Sequence, residues 1–325
     1  MMSPPSSVVP QGSTAPRTPV VRHRRGSARA TVNGADGVIH LAAKVSFAGR
    51  ASQLSEVNAE VTRCLLLCAR AAGVRDVVFV SLPSVANSGA AIAGLGVEPA
   101  DPERAHGSYS RSVAESELLA LAADGPEFRV AAVRPHIVWG PGGTQLVEQV
   151  LARANRGRLP LLDAGAALID TTYVDNAAAA IVVALHRMDH VHGRALVVSN
   201  GEPRPVGELL AGISAAGGIP APWWPLPGVA ARTAGAVVEK LWSWVGREEE
   251  PPMTWFLAEQ FSSAHWFDQR ETRELLDWTP AVSIDEGLAR MAGHLWSTGC
   301  GSCSSGRPGA DVVDAANPLT VCTAF

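Results

Sequence analysis

The chain has 325 residues, of which 47% are hydrophobic and 18% charged, with a net charge of −4. That composition supports a sizeable core and excludes wholesale disorder. It provides no basic field for nucleic acid, and no stretch of about 20 residues is uniformly apolar, which argues against a membrane-spanning helix.

Residues 1–33 are Pro/Ser/Thr-rich and then basic around Arg22–Arg25, and read as a poorly ordered tail. No continuous apolar run marks a secretory signal. Val38–Ala43 is a short apolar run bounded by turn residues, which predicts a buried parallel strand. Leu54–Ala72 has helical periodicity and stops at Gly73. Asp76–Ser81 reads as a second buried strand. A loop rich in Ala, Gly and Pro is expected from Pro83 to about Gly107, then a helix over Tyr109–Ala123 and a third strand over Arg129–Arg134. Alternating apolar strands and helices predict βαβ units on a parallel sheet, with ligands at the strands' C-terminal ends.

From Gly140 the texture changes. Helices are expected over Leu146–Asn155, over Asn176–Leu185 with Asp175 as N-cap, from Pro205 to Gly217, over Val229–Val245, and over Asp285–Leu295. Strands are expected at Leu168–Val174 and Arg194–Ser199. Residues 299–325 read as a second poorly ordered tail. The organisation expected is therefore a partial dinucleotide-binding domain over 34–140 and a substrate-binding region over 141–298. Cys64 and Cys68, one helical turn apart in an apolar run, read as core thiols of a reduced, cytoplasmic protein. Cys300 and Cys303 form a lone C-x-x-C with no second pair, and no metal site is expected.

Several stretches then resemble one family when taken in order. They are V-I-H-L-A-A-K (Val38–Lys44), V-N-A-E-V-T-R (Val57–Arg63), V-F-V-S-L-P-S-V (Val78–Val85) and G-S-Y-S-R-S-V-A-E (Gly107–Glu115). The order continues with V-R-P-H-I-V-W-G-P-G (Val133–Gly142) and D-T-T-Y-V-D-N-A (Asp170–Ala177). Together they resemble extended short-chain dehydrogenases, in the 3β-hydroxysteroid dehydrogenase branch of the NAD-dependent epimerase/dehydratase superfamily. The wording is also similar to a bacterial branch that reduces 2-alkyl-3-oxoalkanoates. The fold implied is α/β: a Rossmann-like parallel sheet lacking its first βαβ unit, with a smaller C-terminal α/β substrate domain.

The resemblance implies hydride transfer between NAD or NADP and a secondary alcohol or ketone of a bulky apolar substrate. A tyrosine, of pKa about 10, is a poor base near neutral pH unless its phenolate is stabilised. In the family a lysine one helical turn on supplies that charge, and a hydroxyl residue after the preceding strand bonds the substrate oxygen. Carried over, the tyrosine is Tyr109 and the lysine position is Val113. The hydroxyl position is Leu82, flanked by Ser81 and Ser84. Alternation is expected to turn Ser81 to the opposite face, and Ser84 serves only if the loop bends. The chain has two lysines, Lys44 and Lys240; Lys44 follows the neighbouring strand and is the nearer substitute. Leu41, Ala42 and Ala43 are expected along the nicotinamide, with Pro135 and His136 by its carboxamide. His136 reads as a polar wall and Trp139 as core. Tyr173 reads as packing or pocket wall.

The Gly-rich phosphate turn of the family has no counterpart, since only 39 residues precede His40 and a βαβ unit needs about 30 or more ordered ones. The reading is an NAD(P)-dependent oxidoreductase by family with impaired catalysis. The alternative is a non-catalytic relic that binds an apolar ligand or acts as a scaffold. Trp223, Trp224, Trp242 and Trp244 bracket an Ala/Val-rich helix whose thin basic face favours a lid over an apolar pocket above membrane-surface contact. The expected partners are an apolar small molecule and a second copy of the chain, with no nucleic acid.

Overall fold

The computed structural model describes residues 32–41, 51–87, 90–142, 146–245 and 255–297. The first half follows the expected alternation. Strand β1 (Gly37–His40) leads to helix α1 (Ala51–Ala71), β2 (Asp76–Val80) and a 3-10 turn over Pro83–Val85. Then come β3 (Ile92–Leu95), α2 (Ser108–Leu121), β4 (Arg129–Pro135), β5 (Val138–Trp139) and α3 (Leu146–Asn155). The chain continues through β6 (Leu161–Leu162), β7 (Leu168–Ile169), β8 (Thr172–Tyr173), α4 (Val174–His186), α5 (Met188–Val191) and β9 (Ala195–Val198). It ends with β10 (Arg204–Pro205), α6 (Val206–Ala216), β11 (Pro225–Leu226), α7 (Gly228–Val245), α8 (Trp255–Ser262), β12 (His265–Phe267), α9 (Arg270–Leu276) and α10 (Ile284–Ser297).

β1, β2, β4 and β9 form one parallel sheet in that order, with β1 at an edge among the described residues. The continuous apolar runs of β2 and β4 are explained by helices on both faces. Val77, Phe79, Val130 and Ala132 pack with α1 and α2, whereas Val78, Ala131 and Val133 pack with Ala180, Ile181 and Ala184 of α4. The alanines of α4 let the helix lie close on the sheet. A second sheet, β10-β7-β12-β3, draws strands from both parts of the sequence, as β9 returns to the first sheet.

Three expectations are corrected here. The 83–107 loop contains strand β3, because Ile92–Leu95 pairs with β12 despite its glycine and alanine content. The single strand expected over Leu168–Val174 is two short ones, β7 and β8, broken at Asp170–Thr171. Asp175 is not an N-cap: α4 starts at Val174, and the Asp175 carboxylate pairs with Arg290 at 3.3 Å. The tails expected at 1–33 and 299–325 lie outside the described residues, apart from Val32 and Asn33.

One ion pair lies wholly inside the first half. Arg134 on β4 donates Nε to Glu117 Oε2 at 2.9 Å and Nη2 to Oε1 at 2.5 Å, and its Nη1 donates to the Glu98 carbonyl at 2.7 Å. Both side chains are at most 1% exposed. Two charges taken out of water are tolerated only as a satisfied pair. Glu117→Ala would strand the guanidinium and should lower the unfolding free energy by about 3–5 kcal/mol. Urea melts at constant m-value check this, and a loss below about 1 kcal/mol would show the pair to be dispensable.

Candidate functional site

Tyr109 stands in the first turn of α2, which begins after Gly107 at φ 85°. It is 4% exposed and belongs to the apolar cluster between α1, α2 and the sheet. Val113, at the lysine position, is 2% exposed in the same cluster. Leu82, at the hydroxyl position, is extended (φ −147°, ψ 152°) and packs its partly buried side chain there too. The three positions that would carry a hydroxyl, a phenol and an ammonium thus fall in one apolar cluster, and two of them are aliphatic.

The flanking serines differ. The 3-10 turn over Pro83–Val85 supplies the bend that Ser84 needed, and buries it. Its Oγ lies 2.9 Å from Ser110 Oγ, so the hydroxyl ties the turn to α2 beside Tyr109. Ser81 follows the end of β2, where Phe79 and Leu82 both pack in Tyr109's cluster, so strict alternation does not run through it. Its amide donates to Val133 O at 2.7 Å. Its buried Oγ has no hydrogen-bond partner. A buried hydroxyl of that kind costs free energy unless something pairs with it.

Leu41 is 39% exposed just beyond β1. Ala42, Ala43 and Lys44 lie outside the described residues. Pro135 ends β4 and is half-buried. His136 is buried, and its Nδ1–H donates to the Asp170 carbonyl at 2.5 Å. Its ring meets Phe267 edge-on at 5.1 Å and lies 6.4 Å from the His265 ring. Asn58 reaches the same helix from α1, donating Nδ2 to Ser112 Oγ at 2.9 Å, and Ser112 Oγ in turn donates to Tyr109 O.

The D-T-T-Y-V-D-N stretch is a junction of hydrogen bonds. Asp170, fully buried, accepts from Ser199 Oγ (2.5 Å), Gly201 N (3.1 Å) and Glu202 N (3.2 Å). Thr171 Oγ1 accepts from Trp139 Nε1 at 2.8 Å. Thr172 Oγ1 faces the carbonyls of His136 and Val198 at 2.6 and 3.1 Å, bonding β8 to β9 and to the link between β4 and β5. Asn176 Nδ2 donates to Asn200 Oδ1 and to Val282 O, while its Oδ1 accepts the amides of Ala281 and Val282. Tyr173 packs edge-on against Trp139 at 5.6 Å, both at most 2% exposed, which makes both of them core. Gly287 on α10 is required there: a Cβ would fall 2.7 Å from the Tyr173 ring. Sequence reasoning found the motif but missed Asn176, Asn200 and the Arg134–Glu117 pair, whose partners are distant in the chain.

The described residues do not fit a nicotinamide coenzyme held for hydride transfer. The ammonium that would clamp its ribose and charge-stabilise the phenolate is replaced by a buried isopropyl group, and the substrate-oxygen donor by Leu82. A cleft on the surface, lined by Asp101, Pro102, Glu103, Arg111 and Glu115, opens beside α2. Arg111 and Glu115 are exposed or half-exposed, unlike the buried Tyr109 and Val113, so this cleft is not the site. Trp223 is 81% exposed and Trp224 half-buried; the side chains of Trp242 and Trp244 are outside the described ones. Among the described residues no helix is long and apolar enough to cross a membrane.

Burial sets the protonation of this region. It lowers His40 to about 4 and His136 to about 3; for His136 the neighbouring His265 adds to the effect and the Asp170 carbonyl opposes it. Burial raises Asp170 to about 6, against the hydrogen bonds from Ser199, Glu202 and Gly201 and the nearby Arg273. Both histidines titrate near 6.5 when unfolded, so their stability contribution is full above that pH and is lost as pH falls toward the folded values. Asp170 has the opposite sign: stability rises as pH falls from about 6 to 3.8. Between pH 6.5 and 5 each histidine removes about 2 kcal/mol and Asp170 restores about 1. The urea midpoint should therefore fall over that range, and His136→Gln should remove about half of the fall or more. An unchanged midpoint would show that the histidines charge freely in the folded state.

The sequence matches the 3-beta hydroxysteroid dehydrogenase/isomerase family over residues 23–227. It is 36% identical over 265 residues to a 2-alkyl-3-oxoalkanoate reductase of Stenotrophomonas maltophilia, covering 80% of each chain. It is 24% identical over 273 residues to sterol-4-alpha-carboxylate 3-dehydrogenase, decarboxylating, of Mus musculus, covering 80% of this chain and 74% of that one. The fold is similar to that of RMD from Pseudomonas aeruginosa complexed with NADPH, with TM-score 0.61, 17% identity and coverage of 84% and 86%. It is also similar to gox2253, with TM-score 0.65, 20% identity and coverage of 85% and 83%.

Proposed function

The chain belongs to the 3-beta hydroxysteroid dehydrogenase/isomerase family, and from that membership we propose that it is an NAD(P)-dependent oxidoreductase by descent whose own hydride-transfer site is disabled. The observation that carries this is the shared apolar cluster of Leu82, Tyr109 and Val113. Val113 stands where the family sets a lysine one turn from its tyrosine, and removing such a cation costs orders of magnitude in rate. The substrate class of the line is a bulky apolar β-hydroxy or keto compound, as the names of the Stenotrophomonas and mouse relatives suggest. The proposed setting is cytoplasmic, and the proposed assembly is a homodimer.

A second reading rests on the same cluster. An apolar cluster at these positions suits retention of an apolar ligand without turnover.

The test has two parts. Assayed with a 2-alkyl-3-oxoalkanoate and either NADH or NADPH, the chain should show kcat at least about 10³-fold below that of the bacterial reductase. A kcat within about tenfold of that enzyme would sink the proposal. Titration with NADH and NADPH, followed by energy transfer from tryptophan, should show no saturable binding at micromolar concentrations. The double variant Leu82→Thr/Val113→Lys should gain turnover only if cofactor binding is retained.

A further inference from the structure

We infer that residues 92–98 form a strap closed over the C-terminal end of β4, with Trp266 against Gly94 as its latch. Strand β3 lies in sequence between β2 and α2, yet its strand partner is β12, in the second sheet. It is the terminal strand of that sheet and only four residues long. The Ile92 amide donates to Ala264 O at 2.7 Å, and the Asp268 amide donates to Leu95 O at 3.0 Å. Beyond the strand, Arg134 Nη1 holds the Glu98 carbonyl.

The inner side of the strap is apolar. Ile92 and Val97 pack with Phe267 and Val197, and Phe267 in turn meets the His136 ring edge-on. Ala93, Leu95 and Gly96 are exposed on the outer side. Ser81, Ser84, Tyr109 and His136 are all at most 8% exposed, so a ligand reaches them only when some covering segment moves. A short edge strand with one paired side is the segment that opens at least cost.

Gly94 has φ +69°, and a Cβ there would fall 2.6 Å from Trp266 Cη2. The ring therefore rests directly on the backbone of the strap. Gly94→Val brings both a strained backbone and a clash with the ring, and Trp266→Ala removes the ring while keeping the glycine.

The experiment uses the full chain carrying Ile92→Cys, whose thiol faces inward, and in parallel Ala131→Cys, fully buried in β4 as a reporter of global unfolding. Alkylation by N-ethylmaleimide is followed peptide by peptide. Adding Gly94→Val or Trp266→Ala should speed labelling at position 92 by about tenfold or more and leave position 131 unchanged. Unchanged labelling at 92 in both variants, or acceleration at 92 and 131 together, would overturn the proposal. The relevance of the strap to a ligand rests on the site reading above. Labelling needs no ligand, so failure of cofactor binding and failure of the strap are separate results.

Discussion

The fold hangs on a buried carboxylate that has to be satisfied. Asp170 sits in the break between β7 and β8, and its oxygens collect one hydroxyl and two backbone amides from the segment that follows β9. An ionised group without water is tolerated only when its lone pairs are occupied, so the position of the 199–202 turn follows from it. That turn places Asn200, Asn200 meets Asn176, and Asn176 holds the 281–282 backbone that leads into α10. Each link uses a group that would be costly to leave unpaired. The second sheet, the aromatic pair Trp139–Tyr173 and the last helix are thereby set against the C-terminal ends of the parallel strands.

Those strand ends are where a dehydrogenase does its work, and here Leu82 and Val113 stand at two of the positions where the family carries its chemistry. Hydride transfer to a ketone needs a proton donor whose conjugate base is stabilised and a donor for the reacting oxygen. The frame holds Tyr109 in the expected turn of α2, in the apolar cluster that also contains Leu82 and Val113. Asn58, Ser112, Ser84 and Ser110 form hydrogen bonds at the edge of that cluster, and these bonds fix helix α2 and the 3-10 turn. These polar residues thus hold geometry.

Most of the first sheet was legible in the sequence, because strands buried on both faces are written as continuous apolar runs and their helices as periodic ones. Tyr109, Val113 and Leu82 were legible as a set through the order of the motifs. What was not legible depends on distant partners. β3 is four residues with a glycine and an alanine, and only its pairing with β12 makes it a strand. Glu117 and Arg134 are 17 residues apart on a helix and a strand, and nothing local in the sequence pairs them. Strand alternation does not extend to Ser81, because β2 ends at Val80 and Phe79 and Leu82, three residues apart, pack in one cluster.

The crossing of strands between the two sheets bears on how such a chain can be altered over evolutionary time. β3 is encoded early and belongs to the later sheet; β9 is encoded late and belongs to the earlier one. No single crossover in the coding sequence between them exchanges one sheet intact. A substrate region from a relative would arrive without its β3, and the receiving half would lose β9. Exchange of either sheet as a block therefore takes at least two crossovers, whereas substitutions in place leave both sheets paired.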